Sequence, residues 1–302
     1  MSETLQQPEY QIYKALGDYH LANNPNQAYL CYENAAYLCQ DSTEKTRLNT
    51  KKQELLLSGN FSVRKTTFII VSYNGMYFMQ KCLESIRAYC APESYSVIVV
   101  DNASTDGVTD WLAEQPDITL ILCDENTGFP IGCNIGIQYA SPKDDIFLLN
   151  NDTRMTHNAL FWLRMGLYEN EHIGATSCVT NYCGIDQLHD VIFSLPGEYL
   201  EYAKTINIPC TNPYEEKNKL WGGAMLIKRH VLDEVGLLDE EFTPGYFEDD
   251  DFSMRIYAAG YRLLVCHNCF IYHAGSQSFV QRTDLAEIFQ RNRSYMAQKM
   301  GI

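Results

Sequence analysis

Basic residues are scarce in this sequence. Its 302 residues include 23 Lys and Arg but 38 Asp and Glu, which gives a formal net charge of −15. Nucleic-acid binding depends on clustered basic side chains that neutralise phosphates, so we do not expect nucleic acid to be a partner. A chain this acidic that binds an anionic ligand must offset the repulsion locally, with backbone N–H groups or a bound cation.

Long hydrophobic runs are also missing. No stretch reaches the roughly 20 apolar residues that cross a bilayer. The first ten residues, MSETLQQPEY, have neither the basic nor the apolar region of a signal peptide. The remaining composition, with 46% hydrophobic and 20% charged residues, is that of an ordinary globular protein. We therefore expect a soluble, cytoplasmic protein without a membrane span.

Cysteines are plentiful, but the spacing of a zinc site is missing. The 11 cysteines are an odd number scattered along the chain, which is not a disulfide framework. Cys266 and Cys269 form a C-x-x-C without a second pair at zinc-site spacing, inside an apolar run that predicts a buried strand. We expect these cysteines to be structural.

Short apolar runs alternate with helical patterns from residue 66 onward. Four runs rich in β-branched residues predict strands: Thr67–Val71, Ser96–Val100, Ile118–Leu122 and Ile146–Leu149. Helical patterns lie between them. This alternation predicts an α/β fold with a mostly parallel sheet and helices on both faces. Ligands of such sheets bind beyond the carboxyl ends of the strands.

The first sixty residues have a helical period instead. Two apolar stripes flank a break at Asn23–Asn26, and the pattern resembles one tetratricopeptide repeat with one residue fewer between its helices. A single hairpin cannot bury its own apolar face, so it must pack on the rest of the chain or on a protein partner. We therefore divide the chain into a helical appendage, residues 1–60, and a main domain, residues 66–302.

Polar clusters follow three of the predicted strands, at residues 72–75, 101–107 and 150–153. Each cluster alone is explained by turn formation or helix capping. Because parallel strands end at the same sheet edge, the three clusters together predict a site.

At these positions the sequence resembles the family 2 glycosyltransferases, which have the GT-A (Rossmann-like) fold, and among them the rhamnosyltransferase-like branch. The resemblance covers roughly residues 66–280. It is carried by Ser72-Tyr73-Asn74, the V-V-D-N-A-S-T-D-G run at 99–107, Asn126–Phe129, Gly132–Gly136, Leu149–Thr153, Trp221–Met225, Val235–Glu240, Phe247–Asp251, and His273 ahead of Ser278. Asn150 replaces the first Asp of the family's D-x-D motif, so we expect weaker metal binding than in a full motif.

The resemblance implies roles for these residues. Ser72 and Tyr73 would lie against the nucleoside, and Asp101 would accept a hydrogen bond from a pyrimidine ring N–H, which implies a UDP- or dTDP-sugar donor. Asp152 and His273 would hold a divalent cation, Mn²⁺ or Mg²⁺. Further donor contacts are expected from Asn74, Asn102, Gly128, Asn134, Asn151, Trp221 and Gly223.

The acidic run at 248–251 has three interpretations. Carboxylates favour a helix N-terminus, and acidic clusters bind calcium, although this run lacks the spacing of a calcium loop. The resemblance implies a third and favoured role, in which Asp249 is the general base that deprotonates the acceptor hydroxyl. A single displacement of this kind inverts the anomeric configuration. Glu248 would orient the acceptor, and Asp251 with Arg255 would brace the helix.

The sequence thus predicts an inverting, metal-dependent glycosyltransferase. A catalytically degenerate sugar-nucleotide-binding or scaffolding protein is the alternative, and a nucleotidyltransferase would need a basic glycine-rich phosphate loop that residues 72–76 do not supply. The donor sugar stays open among dTDP-rhamnose, UDP-glucose, UDP-galactose and UDP-N-acetylhexosamines. The acceptor stays open among glycans, glycoproteins and lipid-linked glycans.

Overall fold

A computed structural model describes residues 8–59, 61–275 and 284–301. Ser278, part of the last motif, lies outside these residues. The helices are α1 (Glu9–His20), α2 (Pro25–Leu38), α3 (Ser42–Leu57), α4 (Met76–Tyr89), α5 (Val108–Ala113), α6 (Phe129–Tyr139), α7 (Ala159–Leu167), α8 (Glu198–Ile206), α9 (Arg229–Val235), α10 (Glu248–Ala258) and α11 (Leu285–Met300). The strands are β1 (Thr66–Ser72), β2 (Tyr95–Asp101), β3 (Thr119–Leu122), β4 (Asp145–Leu149), β5 (Thr153–Arg154), β6 (Ile173–Val179), β7 (Tyr214–Lys217), β8 (Ala224–Ile227), β9 (Arg262–Phe270) and β10 (Tyr272–His273).

The main sheet has eight strands in the order β3-β2-β1-β4-β8-β6-β9-β7. Strands β1 to β4 pair in parallel, as do β6 and β9, whereas β8 runs antiparallel between β4 and β6. The edge strand β7 is also antiparallel. A separate two-stranded ladder joins β5 to β10. The predicted α/β class with a mostly parallel sheet is confirmed.

Side chains of the central strands belong to two apolar layers, because successive residues of a strand face opposite sides of the sheet. On one face, Phe68, Ile70 and Phe147 pack with the residues of α4 and α7. On the other face, Ile69 and Leu148 pack with residues of α6, α9 and α10. Burial on both faces explains why these strands read as continuous apolar runs rather than as alternating ones.

The predicted helical hairpin is present as α1 and α2, and a third helix, α3, follows them. Asn24 caps α2 by accepting the Gln27 N–H at 3.1 Å, and Pro25 occupies the first turn. The hairpin packs on α7, where the Gln27 side chain donates to the Met165 carbonyl at 2.9 Å. Glu33 forms an ion pair with the buried Arg164 of α7. The helices therefore complete the core of the main domain.

All eleven cysteines are free, and Cys266 and Cys269 are fully buried in β9. Their expected structural role fits this position. No helix in the described part of the chain is both long and apolar enough to cross a membrane.

Candidate active site at the carboxyl edge of the sheet

The carboxyl ends of β1 and β2 lie side by side. Parallel pairing places Ser72 directly opposite Asp101. Beyond the strands, the Asn74 N–H donates to Ser104 Oγ at 2.8 Å, which joins the two loops. Ser72 is buried, whereas Tyr73 is 38% exposed. The structure thus brings the predicted nucleoside-binding residues together and leaves the ring of Tyr73 accessible to a ligand.

Asp101 is tied into its own loop. One carboxylate oxygen accepts from Ser104 Oγ at 2.5 Å, and the other accepts from Thr109 Oγ1 at 2.8 Å and from the Ser104 N–H at 3.3 Å. The side chain is 2% exposed. In this structure Asp101 shapes the β2–α5 loop, and its contact with a pyrimidine ring stays a prediction.

Asn102, Gly128 and Asn134, which were predicted to contact the sugar donor, form hydrogen bonds within the protein. The Asn102 side chain donates to the Gly128 carbonyl at 3.0 Å and accepts from Thr127 Oγ1 at 2.9 Å. Asn134, on α6, bonds both main-chain groups of Leu238, at 2.9 and 3.0 Å. Asn102 and Asn134 are 1–2% exposed, so their side chains face protein groups rather than an open cleft.

Asp152 and His273 meet although they lie 121 positions apart in the chain (273 − 152). The β5–β10 ladder places His273 opposite Thr153, and His273 Nε2 lies 3.2 Å from Asp152 Oδ1 with both side chains 4% exposed. His273 Nδ1 lies 2.6 Å from the Tyr182 carbonyl. A carbonyl only accepts, so Nδ1 carries the proton in that bond, and Nε2 is the ring nitrogen that faces the carboxylate.

Nε2 of His273 and Oδ1 of Asp152 therefore face each other. Nε2 of His273 is buried and has no hydrogen-bond partner among the described residues. Carboxylate oxygen with imidazole nitrogen is a donor pair that suits Mn²⁺. No cluster of three or more His, Cys, Asp or Glu residues able to hold a metal is found in the described ranges. Within the described residues, Asp152 and His273 are therefore the two candidate ligands of the predicted cation.

Trp221 packs beside His273. Its ring is 4.8 Å from the His273 ring, at an interplanar angle of 43°. The Trp221 ring folds over Gly223, where any side chain would collide with it. The Gly223 carbonyl accepts from the Asn150 N–H at 2.9 Å, which fixes the start of the N-N-D motif. Asn151, the next residue, is buried. The sequence-predicted residues Trp221, Gly223, Asp152 and His273 thus form one cluster, and Asn151 is the buried residue next to Asp152 in the chain.

Asp249 joins this cluster through the neighbouring glycine. Its carboxylate accepts from the Gly222 N–H at 3.0 Å and from the Asp250 N–H at 2.9 Å. Burial, followed by the charge of Asp250, raises the pKa of Asp249. Burial and the charge of Asp249 raise the pKa of Glu248 well above its ordinary value. Glu248 Oε2 has no hydrogen-bond partner among the described residues. The pKa values of two adjacent carboxyls are thus both raised, by burial and by a neighbouring carboxylate.

The chain enters α10 through a strained turn. Tyr246 and Phe247 have φ of 73° and 74°, the left-handed region that non-glycine residues rarely adopt. Such strain costs on the order of 1–3 kcal/mol per residue and concentrates at functional sites. This turn aims the first residues of α10 at the glycines of the 221–223 segment.

The remaining acids of the run are structural partners. Asp251 pairs with Arg255 at 2.8 Å and with Lys299 at 2.6 Å, so the expected brace is present and includes α11. Asp250 pairs with Lys219 at 2.9 Å. The two lysines were not predicted to take part, because no helical spacing or motif links them to these acids.

Arg154 is a further residue that sequence reasoning missed. It follows Asp152 by two residues, and its guanidinium lies 5.3–5.8 Å from the ring centres of Tyr77, Tyr199 and Tyr272. The available signal was an arginine beside a predicted metal ligand in a chain poor in basic residues.

The chain matches the model of the glycosyl transferase family 2 over residues 67–235, more than half of its length. It belongs to this family. Among curated relatives it is 23% identical to the uncharacterized glycosyltransferase YfnE of Bacillus subtilis over 281 residues, covering 78% of this chain and 70% of YfnE. It is 28% identical to the glycosyltransferase AglE of Haloferax volcanii over 210 residues, covering 66% of this chain and 64% of AglE.

Solved structures share the fold at low identity. The mannosyltransferase PcManGT of Pyrobaculum calidifontis, in complex with GDP-Man and Mn²⁺, aligns with a TM-score of 0.54 and 19% identity, over 96% of this chain and 74% of PcManGT. GalNAc-T7 with UDP, GalNAc and Mn²⁺ aligns with a TM-score of 0.57 and 15% identity, over 70% of this chain and 44% of GalNAc-T7. The GT-A fold is therefore shown, and the chain spans less than half of GalNAc-T7.

Proposed function

We propose that this protein is an inverting, divalent-metal-dependent glycosyltransferase. It transfers a sugar from a UDP- or dTDP-sugar to a hydroxyl of a glycan, a glycoprotein or a lipid-linked acceptor. The observation that carries the proposal is the buried Asp152–His273 pair, whose facing oxygen and nitrogen are 3.2 Å apart. The pair lies at the carboxyl edge of the sheet, where ligands of this fold class bind.

Asp152 and His273 are the residues that would hold the cation. Two proteins of similar fold support the choice of metal, because the structures of GalNAc-T7 and PcManGT contain Mn²⁺ with a nucleotide or nucleotide sugar. When bound, such a cation neutralises the diphosphate and the charge that develops on it as it departs. The cation would thereby offset the repulsion between the anionic donor and a protein with a net charge of −15.

Asp249 is the proposed general base. Its carboxylate is held by the N–H groups of Gly222 and Asp250 and keeps lone pairs for one further donor, the acceptor hydroxyl. A base is stronger when its pKa is raised, and burial raises the pKa of Asp249. Glu248, whose pKa is raised by burial and by the charge of Asp249, stays protonated in this scheme and donates a hydrogen bond that orients the acceptor.

The nucleoside is proposed to lie on the β1–β2 edge. Tyr73 offers an accessible ring for stacking, and the loop that Asp101 and Ser104 organise frames the base. Trp221 would cover the donor sugar beside the cation, because its ring already packs on His273.

A donor panel with Mn²⁺ tests the proposal. Purified protein is incubated with dTDP-rhamnose, the UDP-hexoses, the UDP-N-acetylhexosamines and GDP-mannose, and release of the nucleoside diphosphate is measured. We expect turnover with one uracil or thymine donor, abolished by Asp152→Ala and unaffected by Asp110→Ala, which removes an exposed acid of α5. NMR of the transfer product should show an inverted anomeric centre. Donor binding without turnover or transfer, over the whole panel and with glycan acceptors added, would instead favour the degenerate binding protein.

A further inference from the structure

The loop between β6 and α8 reaches the proposed metal ligand from the side opposite β5. It is closed at its base by two main-chain bonds, Thr180 N–H to the Gln187 carbonyl at 2.9 Å and His189 N–H to the Thr180 carbonyl at 2.7 Å. Within it, the Asn181 side chain accepts from the His273 N–H at 2.9 Å and donates to the His273 carbonyl at 3.0 Å. One amide therefore satisfies both main-chain groups of His273.

These bonds act on a very short strand. β10 contains only two residues, and its ladder to β5 pairs one of its edges. Asn181 takes the place of a strand on the other edge, and the adjacent Tyr182 carbonyl holds Nδ1 of the same histidine at 2.6 Å. The backbone and the ring of His273 are thus fixed by consecutive residues of one loop.

We infer that Asn181 is a positioning residue for the metal ligand His273. The inference rests on the proposed function, because it assumes that Asp152 and His273 hold the cation. With the main chain of His273 clamped and Nδ1 engaged, Nε2 can face Asp152 in one orientation. Loss of the clamp lets β10 shift, and the ligand pair loses its geometry. Partners that orient a ligating histidine typically change metal affinity by about 10–100-fold.

The chain contains a matched control for the same chemistry. The Asn207 side chain accepts from the Phe270 N–H at 2.6 Å and donates to the His157 carbonyl at 2.7 Å. It is 1% exposed, so it is more deeply buried than Asn181, which is half-buried. Asn207 thus clamps the end of β9, three residues before His273, without touching the ligand. A general loss of stability should be at least as large for Asn207→Ala as for Asn181→Ala.

The experiment measures Mn²⁺ affinity without turnover. Free Mn²⁺ is titrated by EPR into the wild-type protein, Asn181→Ala, Asn207→Ala, His273→Ala and the Asn181→Ala/His273→Ala double variant, and thermal unfolding is recorded for each. We expect Asn181→Ala to weaken Mn²⁺ binding about 10–100-fold and Asn207→Ala to leave the affinity unchanged. In the His273→Ala background, Asn181→Ala should have no further effect, because its action passes through that side chain.

Each other outcome overturns a defined part of the account. Wild-type protein that binds no Mn²⁺ removes the proposed metal site and the inference with it. Unchanged affinity in Asn181→Ala, or an equal loss in Asn207→Ala, removes the inference and leaves the metal site standing. An additive loss in the double variant shows that Asn181 acts independently of His273. If either alanine variant does not fold, Asn181→Ser and Asn207→Ser replace the pair in the same comparison.

Discussion

The site geometry makes its most specific prediction for the replacement of Asp249 by Asn. Both carboxylate oxygens accept main-chain hydrogen bonds, from Gly222 at 3.0 Å and from Asp250 at 2.9 Å. An asparagine has one acceptor oxygen, so its NH₂ group must face one of these two N–H donors. The variant therefore removes the base and also loses one of these two main-chain hydrogen bonds.

The two effects differ in size. Loss of a general base costs typically about 10²–10⁴-fold in rate. An unsatisfied buried N–H costs about 1–3 kcal/mol of unfolding free energy. This second cost is partly offset, because the raised pKa of Asp249 means that its ionisation opposes folding at neutral pH, and Asn removes that charge. We expect a net stability loss of about 1 kcal/mol and donor binding that survives.

Transfer rate, donor affinity and urea unfolding of Asp249→Asn are measured beside those of Asp250→Asn. Asp250 pairs at the surface with the exposed Lys219, and such pairs contribute about 0–1 kcal/mol, so the control should be mild in every assay. Near-full transfer in Asp249→Asn with an inactive Asp250→Asn would move the base by one residue. Lost donor affinity in Asp249→Asn would instead assign this carboxylate to the donor sugar. The wild-type rate should fall on acidification, at a pH above the ordinary Asp range.

Three further predictions follow from contacts around the site and the core. In Gly222→Ala the new Cβ would lie 2.8 Å from the Cβ of the proposed base, so kcat should fall about 10²-fold, whereas Gly184→Ala, with no atom within 4 Å of its Cβ, should be neutral. The pKa of Glu248 is raised in the folded protein, so its favourable contribution to folding is present below its unfolded pKa and is lost as the pH rises. The thermal stability of the wild type should therefore decline relative to that of Glu248→Gln between about pH 4.5 and neutrality. Parallel stability curves for the two proteins would contradict this. Glu33→Gln leaves the buried Arg164 without its counter-charge and should cost about 3 kcal/mol in urea unfolding; a loss typical of a surface pair would contradict the role of α2 in the core.

The central sheet was predictable because burial on both faces leaves a strong signal. All four expected strands, from Thr67–Val71 to Ile146–Leu149, are present with bounds that agree within one residue. The insertion of β8 between β4 and β6 was not predictable in the same way. Its position depends on pairing between segments far apart in the chain, and four residues carry too little pattern to specify a partner.

The sequence predicted which residues belong to the candidate site better than it predicted their hydrogen-bond partners. Motif resemblance identified Asp152 and His273, which the fold brings to 3.2 Å. It did not reveal that Asn134 and Asn102 bond protein groups, because short amide side chains choose partners according to loop geometry that one sequence does not specify. The clamp on His273 by Asn181 was hidden for the same reason.

The central claim is that Asp152 and His273 hold the catalytic cation, and anomalous diffraction at the manganese edge tests it most directly. Crystals grown with Mn²⁺ and UDP should show one strong anomalous peak about 2–2.4 Å from Asp152 Oδ1 and from His273 Nε2, with diphosphate oxygens completing the coordination. The peak should vanish in His273→Ala or Asp152→Ala crystals of the same form. Bound UDP with no peak between these two side chains, or with a peak elsewhere, would contradict the account.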